Sequence, residues 1–446
     1  MSVPAGDVAD RLERLAAHAP AAGVDPEAVW SRGRRWHRRR TGAVLAGVAV
    51  LGLLSAAVTP ALVDRAQPVE MASSEDRMVL PAVVRPPGGW EPAFDDAPGR
   101  LSAVGTGWRA GWWSPRPALW GVSAASGESR WLDLPAESSG DVAVLSADGT
   151  KLAYWVSVGV AGTRTDDQLP APTELRLLDL LTGDEQRWAP TNDHGLMTGG
   201  MAWAGDTLWF NAGAFSDAEH TSARLALHTW TWGSEARDVS ELYTSIDLST
   251  VTSDTAGFLA AGSTATNKTL RVTAAGGVTR LDLRTDGTVS TPAMNPDETL
   301  VAGVQQGRRE QLYGTALPLL VSEAVDGGAD MRRVEPVDAA YVLGWRSPAE
   351  VVVASPSDRD GNGEPDAMQV SVTNVTDPAD FSYTELLDVQ GTGLPQFAAE
   401  AWTAEVVSAP GAPFAPDPRL VGASAVVALV FGISLWRELR RRRGRG

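Results

Sequence analysis

One short acidic segment has residue types and spacing suited to binding a metal ion. Oxygen-bearing side chains recur at alternating positions of residues 358–366, and a glycine stands at its sixth position. The candidate ligands are Asp358, Asp360, Asn362, Glu364 and Asp366. Calcium takes roughly six to eight oxygen ligands, and calcium loops place them at such positions around a sharply turning glycine. The segment therefore predicts a calcium site, and calcium is the one cofactor that the sequence suggests.

The twelfth position of this segment departs from the usual calcium loop. Gln369 stands where a carboxylate normally binds the ion through both oxygens. We therefore expect weak binding, which suits the ~10⁻⁴–10⁻³ M range of extracellular calcium modules. The alternative is an ordinary polar loop between strands at 351–354 and 368–374. In both cases we expect a stabilising role and not a catalytic one.

Other patterns that could carry chemistry are few. The sequence has no cysteine, which excludes disulfides, thiolate chemistry and zinc–cysteine sites. Neither a His-Glu-x-x-His helix nor a Gly-x-Ser-x-Gly turn occurs. His220 and His228 flank one strand, and their spacing favours surface and strand positions over metal ligation. We therefore predict no catalytic residues, and we predict that the chain is not an enzyme.

Charge is distributed unevenly along the chain. Residues 1–40 carry a net charge of +3 and residues 437–446 of +5, whereas the whole chain carries −17. The intervening residues 41–436 therefore carry −25. Because nucleic-acid binding needs a basic surface, this acidity predicts no nucleic-acid partner and favours a solvent-facing domain.

Residues 41–63 form the first of two predicted membrane spans. All 23 residues are uncharged, and at ~1.5 Å per helical residue they can cross a hydrocarbon core of ~30 Å. Arg38, Arg39 and Arg40 precede the segment, so the positive-inside rule puts the N-terminus in the cytoplasm. A cleaved signal peptide is the alternative, but the long preceding segment and the lack of a clear cleavage site disfavour it.

Residues 420–436 form the second predicted span. These 17 uncharged residues are at the short end of the range for a span. An arginine-rich run follows from Arg437, and Trp436 suits a membrane interface. The alternative is a buried or amphipathic helix. With two spans the protein is integral to the cell membrane, both termini are cytoplasmic, and residues 64–419 lie outside.

Between the predicted spans the sequence has the pattern of short strands and turns. Apolar and polar residues alternate at 151–156, 207–210 and 350–354. Turns between the first two strands of successive units are predicted near Gly107, Asp148, Gly205, Asp254, Asp297 and Pro348. They lie 41–57 residues apart, and one four-stranded propeller blade takes ~40–50 residues. We therefore predict an all-β domain, a single β-propeller of about six blades.

Two units show the repeated motif most clearly. Residues 146–150 read Ser-Ala-Asp-Gly-Thr before an apolar strand, and a later strand at 174–180 ends before Thr182-Gly183. Residues 295–302 repeat the first half as Asn-Pro-Asp-Glu-Thr-Leu-Val-Ala. This resembles the TolB-like (WD-type) propeller repeat, in which a Ser-Pro-Asp-Gly turn opens an apolar strand. The resemblance implies a structural role for the Asp-Gly pair in a tight turn.

The whole layout resembles that of uncharacterised actinobacterial membrane proteins with an Arg-rich head, a span and a TolB-like propeller. Segments 78–84 and 397–407 are expected to lie side by side where the ring closes, which would bring both linkers to the same side. The predicted domains are a cytoplasmic helical head at 1–40, a transmembrane helix at 41–63, a linker with a first strand at 64–99, the propeller at 100–407, a Pro-rich linker at 408–419, a transmembrane helix at 420–436 and a cytoplasmic Arg-rich tail at 437–446.

Tryptophan is abundant, and fourteen copies lie between the predicted spans. Most are expected to fill the wedges between blades, whereas one of Trp112 and Trp113 is expected to be exposed, because neighbours on a strand point to opposite faces. An exposed tryptophan can stack on a sugar or bind a protein. We therefore predict an extracytoplasmic interaction or scaffold module with a protein or glycan partner. The alternative is a transmembrane regulator whose head, residues 1–40, controls a cytoplasmic partner such as a sigma factor.

Overall fold

The computed structural model describes most of the chain that follows residue 76. The described residues are 77–94, 97–134, 138–157, 171–240, 248, 251–261, 268–306, 316–324, 328–358, 367–376, 383–391, 393–408 and 417–443. The head and the first span, predicted at 1–40 and 41–63, lie outside them.

Within the described residues, six antiparallel sheets form the blades of a propeller. In each blade, four strands follow one another from the inside of the ring to its rim. Blade 1 contains β27 (Gln396–Phe397), β3 (Leu101–Arg109), β4 (Arg116–Ser123) and β5 (Ser129–Trp131). Blade 2 contains β6 (Ser138–Leu145), β7 (Lys151–Val156), β8 (Glu174–Asp179) and β9 (Glu185–Trp188). Blade 3 contains β10 (Leu196–Ala204), β11 (Thr207–Ala214), β12 (Ala226–Thr231) and β13 (Arg237–Asp238). Blade 4 contains β14 (Thr252–Ser253), β15 (Gly257–Ala261), β16 (Lys268–Thr273) and β17 (Val278–Arg284). Blade 5 contains β18 (Thr288–Met294), β19 (Leu300–Gln306), β20 (Leu317–Glu323) and β22 (Arg332–Ala339). Blade 6 contains β23 (Tyr341–Ser347), β24 (Glu350–Ser357), β25 (Ala367–Asn374) and β26 (Tyr383–Gln390).

Two blades carry a short extra strand on their outer edge. β21 (Gly328–Asp330) pairs with β17 of blade 4, and β2 (Val83–Val84) pairs with β26 of blade 6, both in parallel. Such pairing covers backbone groups that an open sheet edge would present to other chains. The first strands of neighbouring blades contact one another around the ring. The predicted all-β, six-bladed propeller is therefore confirmed.

The two ends of the propeller close the ring together. The inner strand of blade 1, β27, comes from the C-terminal part of the chain and pairs with β3 from the N-terminal part. Next to this junction, β1 (Val79–Pro81) pairs in parallel with β28 (Glu405–Val407). The expectation that segments 78–84 and 397–407 meet where the ring closes is thus confirmed.

This closure also explains one wrong prediction. Five of the six turns lie between the first two strands of a blade, near Asp148, Gly205, Asp254, Asp297 and Pro348. Gly107 lies inside β3 instead. Blade 1 has no such turn, because its first strand is supplied by β27 from almost 300 residues away along the chain, and local sequence carries no sign of that pairing.

Three tryptophans tie the inner strand of one blade to that of the next. The indole Nε1 of Trp203 in β10 donates to the Val144 carbonyl oxygen in β6 at 3.2 Å. Trp345 in β23 donates to the carbonyl oxygen of Ala293 in β18 at 3.2 Å. Trp402, which follows β27, donates to the carbonyl oxygen of Leu343 in β23, also at 3.2 Å. All three are buried, so the prediction that tryptophans fill the wedges between blades holds at these positions.

The motif at 146–150 forms a turn built from side-chain hydrogen bonds. The Ser146 hydroxyl oxygen accepts the backbone N–H of Thr150 at 3.1 Å and of Lys151 at 2.9 Å. In blade 5, Asn295 Oδ1 accepts the equivalent N–H groups of Thr299 and Leu300 at 2.8 and 2.9 Å. The repeat therefore conserves an acceptor at its first position, where either a hydroxyl or an amide oxygen can cap the turn.

Asp148 strengthens the same turn in blade 2. Its carboxylate accepts the Ser146 hydroxyl at 2.6 Å and the Thr150 hydroxyl at 2.8 Å. Burial alone would raise the pKa of Asp148, but these hydrogen bonds, with one from the Thr150 amide, outweigh it and hold the pKa below its ordinary value. A carboxyl with a lowered folded pKa contributes stability above its unfolded pKa of about 3.9 and loses it as pH falls through the folded value.

Replacing Asp148 with Asn is therefore expected to lower the melting temperature at pH 7. Between pH 5 and pH 3 the melting temperature of the variant is expected to fall less than that of the wild type. Melting the full-length chain over that range measures both effects. D193N, which removes an exposed carboxylate from a different loop, is the control for net charge and should follow the wild-type profile. An unchanged acid profile in D148N would contradict the assignment.

The last described element is the helix α1 (Pro418–Arg443). The Asp417 carboxylate accepts the Arg419 amide at 2.8 Å, and proline occupies the first helical position. The predicted second span, 420–436, lies inside this helix. Among the parts of the chain that the structure describes, no helix is both long and apolar enough to cross a membrane.

Candidate functional site

The predicted calcium segment lies between β24 and β25 of blade 6. Asp358, an exposed residue directly after β24, is the one candidate ligand that the structure describes. Asp360, Asn362, Glu364 and Asp366 lie outside the described residues, so the calcium site stays a prediction. Within the described ranges no cluster of three or more His, Asp or Glu side chains could hold a metal ion.

The hairpin between β3 and β4 carries an exposed group of tryptophans. Trp108 is 66% exposed, Trp112 63% and Trp113 98%. Trp90 is half-buried beside them, with its ring centroid 6.2 Å from that of Trp112 in an edge-to-face arrangement. We call these four residues the tryptophan patch. We predicted that one of Trp112 and Trp113 is exposed, and both are, because both lie in the turn and not on a strand.

Basic side chains surround the tryptophan patch. Arg109 ends β3 and Arg116 begins β4, directly across the ladder from it. Burial, followed by the nearby charge of Arg116, lowers the pKa of Arg109, while Asp133 at 3.8 Å opposes the shift. Arg419 of α1 donates a hydrogen bond to the Gly111 carbonyl oxygen, and its guanidinium lies 5.2 Å from the Trp90 ring centroid. The patch thus adjoins the start of α1.

A separate groove runs along the outer edges of blades 2 and 3. It has a volume of about 620 Å³. Its lining combines aromatic, basic, acidic and amide side chains: Gln186, Arg187, Trp188, Trp230, Glu235 and Ala236. Gln186 Oε1 accepts the Gly233 amide at 3.1 Å, which joins the two walls. Arg187 and Glu235 are exposed, so both charges are open to a ligand.

The floor of this groove is held rigid by an aromatic cluster. The Trp188 ring centroid lies 5.0 Å from that of Phe210 and 5.1 Å from that of His228. His228 stacks on Phe210 at 5.0 Å, and burial lowers its pKa despite the opposing charge of Asp238. The prediction that His228 is a strand residue is confirmed. A preorganised aromatic surface with converging polar groups is what many binding sites share.

The groove was not predicted from the sequence. Residues 186–188 and 233–236 belong to adjacent blades and meet only through blade packing. The tryptophan patch left a clearer signal: Gly111, Pro115 and Pro117 surround Trp112 and Trp113, and these residue types indicate a turn in which neighbouring side chains need not alternate.

Comparison with known proteins finds similar solved structures but no family. No family model and no curated protein matches the sequence. Among solved structures, the chain is similar to an oligogalacturonate lyase from Vibrio parahaemolyticus, with 13% identity over 71% of this chain and 80% of the other and a TM-score of 0.39. It is also similar to a 6-phosphogluconolactonase-like protein from Bacteroides fragilis, with 13% identity over 66% and 82% and a TM-score of 0.36. A TolB-like protein from Agrobacterium tumefaciens matches with 15% identity over 68% and 82% and a TM-score of 0.28.

These similarities correct one prediction from the sequence. Missing hydrolase motifs led us to predict that the chain is not an enzyme, and that prediction is wrong, because similar structures include proteins named as a lyase and a lactonase. The absence of hydrolase motifs that belong to other folds therefore does not exclude an enzymatic activity. The resemblance to TolB-like repeats holds at the level of the propeller fold, and the fold assignment itself rests on the sheet topology.

Proposed function

We propose that the chain is a membrane-anchored, extracytoplasmic β-propeller that binds an extended polymer, a protein segment or a glycan strand, in the groove between blades 2 and 3. The groove itself carries the proposal. The half-buried Trp188 offers aromatic surface, and the exposed Arg187 and Glu235 offer opposite charges and hydrogen-bonding groups. Aromatic platforms with planar polar neighbours suit both sugars and peptide backbones.

Two observations support membrane anchoring. The first and last strands of the propeller, β1 and β28, lie side by side and are only three residues long, so tethers on the two strands start close together and can reach one surface. Along α1, the large apolar side chains are exposed to solvent among the described residues: Leu420, Val427, Val430, Phe431, Ile433 and Trp436. Burying such side chains in lipid is favourable, and the arginines after residue 436 would keep the C-terminus cytoplasmic.

Orientation can be tested with single cysteines, since the chain has none of its own. A125C, at an exposed turn of blade 1, is expected to react with a membrane-impermeant maleimide in intact cells. G446C in the predicted tail is expected to react only after lysis. Labelling of A125C only after lysis would place the propeller inside and contradict the proposal.

Binding can be tested with the full-length chain in detergent micelles. Soluble cell-wall glycan fragments and an extended-peptide library serve as probes in a calorimetric or mass-based screen. R187A/E235A is expected to weaken binding of the probe class that the wild type binds at least about tenfold, since about 1.4 kcal/mol of lost contacts is a tenfold change in Kd. R284A/D330A removes an exposed ion pair of blade 4 and should leave binding unchanged. Equal binding by both variants would exclude the groove.

A further inference from the structure

The exposed tryptophan patch has the character of an interaction surface. Three indoles that are 63–98% exposed on one hairpin represent a large apolar surface in water. The adjacent charges are of both signs, with Arg109, Arg116 and Arg419 beside Glu91, Asp133 and Asp417. In a chain of net charge −17, this combination of tryptophan and arginine is a local exception.

The same combination occurs at the other end of α1. Arg440 lies 4.9 Å from the ring centroid of Trp436, as Arg419 lies 5.2 Å from that of Trp90. The two pairs bracket the uncharged run 420–436, which is about 25 Å long as a helix. Tryptophan and arginine concentrate at the two water interfaces of a bilayer, where the ring lies among headgroups and the cation reaches phosphate.

We propose that the tryptophan patch is a membrane-contact surface that docks on the outer lipid headgroups beside α1. The inference rests on the membrane anchoring proposed above. An uncharged run of about 25 Å is shorter than a hydrocarbon core of ~30 Å, and short helices are accommodated by thinning the bilayer and by flanking side chains that reach the interface. Because the uncharged run is short, the start of α1 lies close to the lipid surface. The hairpin that Arg419 contacts lies there with it.

The geometry favours lipid over a glycan at this surface. Trp112 and Trp113 stand on a turn, so they do not form the flat platform on which a sugar ring stacks. Trp113 is 98% exposed, so among the described residues almost nothing packs against its ring. Interfacial insertion needs only protruding rings and nearby cations, both of which the hairpin supplies.

A probe on the hairpin tests the proposal in the full-length chain. S114C, an exposed position in the same turn, is labelled with an environment-sensitive fluorophore and the protein is reconstituted in phosphatidylglycerol–phosphatidylethanolamine vesicles. We expect strong quenching by lipids that carry a quencher near the headgroup. A125C is the matched control, because β4 separates it from the hairpin by roughly 23 Å across the blade, and it should not be quenched.

Further results test the docking and the anchoring separately. W112A/W113A in the S114C background should reduce quenching to the level of A125C, whereas R187A/E235A in the groove should leave it unchanged. Vesicles that float with the protein but leave S114C unquenched would overturn the docking while anchoring stands. Protein that does not float with vesicles would overturn the anchoring as well. A response of S114C to soluble glycan in place of lipid would reassign the surface and overturn the proposal.

Discussion

Replacing Arg271 with Met is expected to lower the free energy of unfolding by about 3–5 kcal/mol. The guanidinium donates to the Asp254 carboxylate at 2.6 and 3.2 Å and to the Glu298 carboxylate at 2.9 Å, linking blades 4 and 5. Arg271 is 3% exposed and Asp254 7%. Removing only the cation leaves a buried carboxylate unpaired, and that costs far more than the loss of an exposed ion pair.

The pair is not itself a large source of stability. Burial raises the pKa of Asp254 above its ordinary value even though Arg271 donates two hydrogen bonds to it. At Arg271 the balance is the reverse, because hydrogen bonds to Asp254 and Glu298 and their charges outweigh burial and raise its pKa. Desolvation and attraction therefore largely offset each other in the pair. Arg271 Nε, in addition, has no acceptor among the described residues. Removing both charges should therefore cost much less than removing one.

Denaturant titration of the full-length chain separates these cases. D254N/R271M, which retains an acceptor for the Ala256 amide, is expected to recover most of the stability lost in R271M. R284M is the matched control, because Arg284 and Asp330 are largely exposed, and a loss of about 0–1 kcal/mol is expected there. Equal losses in R271M and R284M would show that the buried pair has no special role.

Glu298, the third partner, has an unusual backbone conformation. Glu298 has φ +57° at the turn position where blade 2 has Gly149 with φ +72°. A residue with a side chain pays about 1–2 kcal/mol there. The two turns share the backbone hydrogen bond from this position to the first residue of the motif, and in blade 5 the Glu298 carboxylate accepts a hydrogen bond from Arg271 as well.

Features that are set by neighbouring residues in the chain could be predicted from the sequence. The Ser-Ala-Asp-Gly-Thr and Asn-Pro-Asp-Glu-Thr segments predicted their turns, because a side chain a few residues away caps each one. Sequence reasoning failed where distant segments meet. The inner strand of blade 1 comes from 396–397, and the groove lies between two blades. The packing of Trp203, Trp345 and Trp402 between blades was predicted, but the hydrogen bond that each indole donates to the preceding blade was not.

Trp402 provides the second large effect, because it holds the junction at which the ring closes. It is 1% exposed, its ring centroid lies 4.6 Å from that of Phe397 in β27, and its Nε1 donates to the Leu343 carbonyl oxygen of blade 6. W402A is expected to cost about 3–5 kcal/mol, the range for deleting a buried aromatic ring. W402F keeps most of the packing and loses the hydrogen bond, so about 1–2 kcal/mol is expected.

The measurement is designed to separate closure from general loss of packing. Denaturant titration gives the stabilities, and amide hydrogen exchange reports opening at β27 and β3, which should exchange faster in W402A than β10 or β11. W113A, at a position 98% exposed, is the matched control and should change stability by less than about 0.5 kcal/mol. G344A is an independent probe, since an added Cβ would lie 2.9 Å from Trp402 Nε1 where φ is +146°. If W402A opens all blades equally, closure does not depend on this tryptophan, and the paired strands β1 and β28 must hold the ring instead.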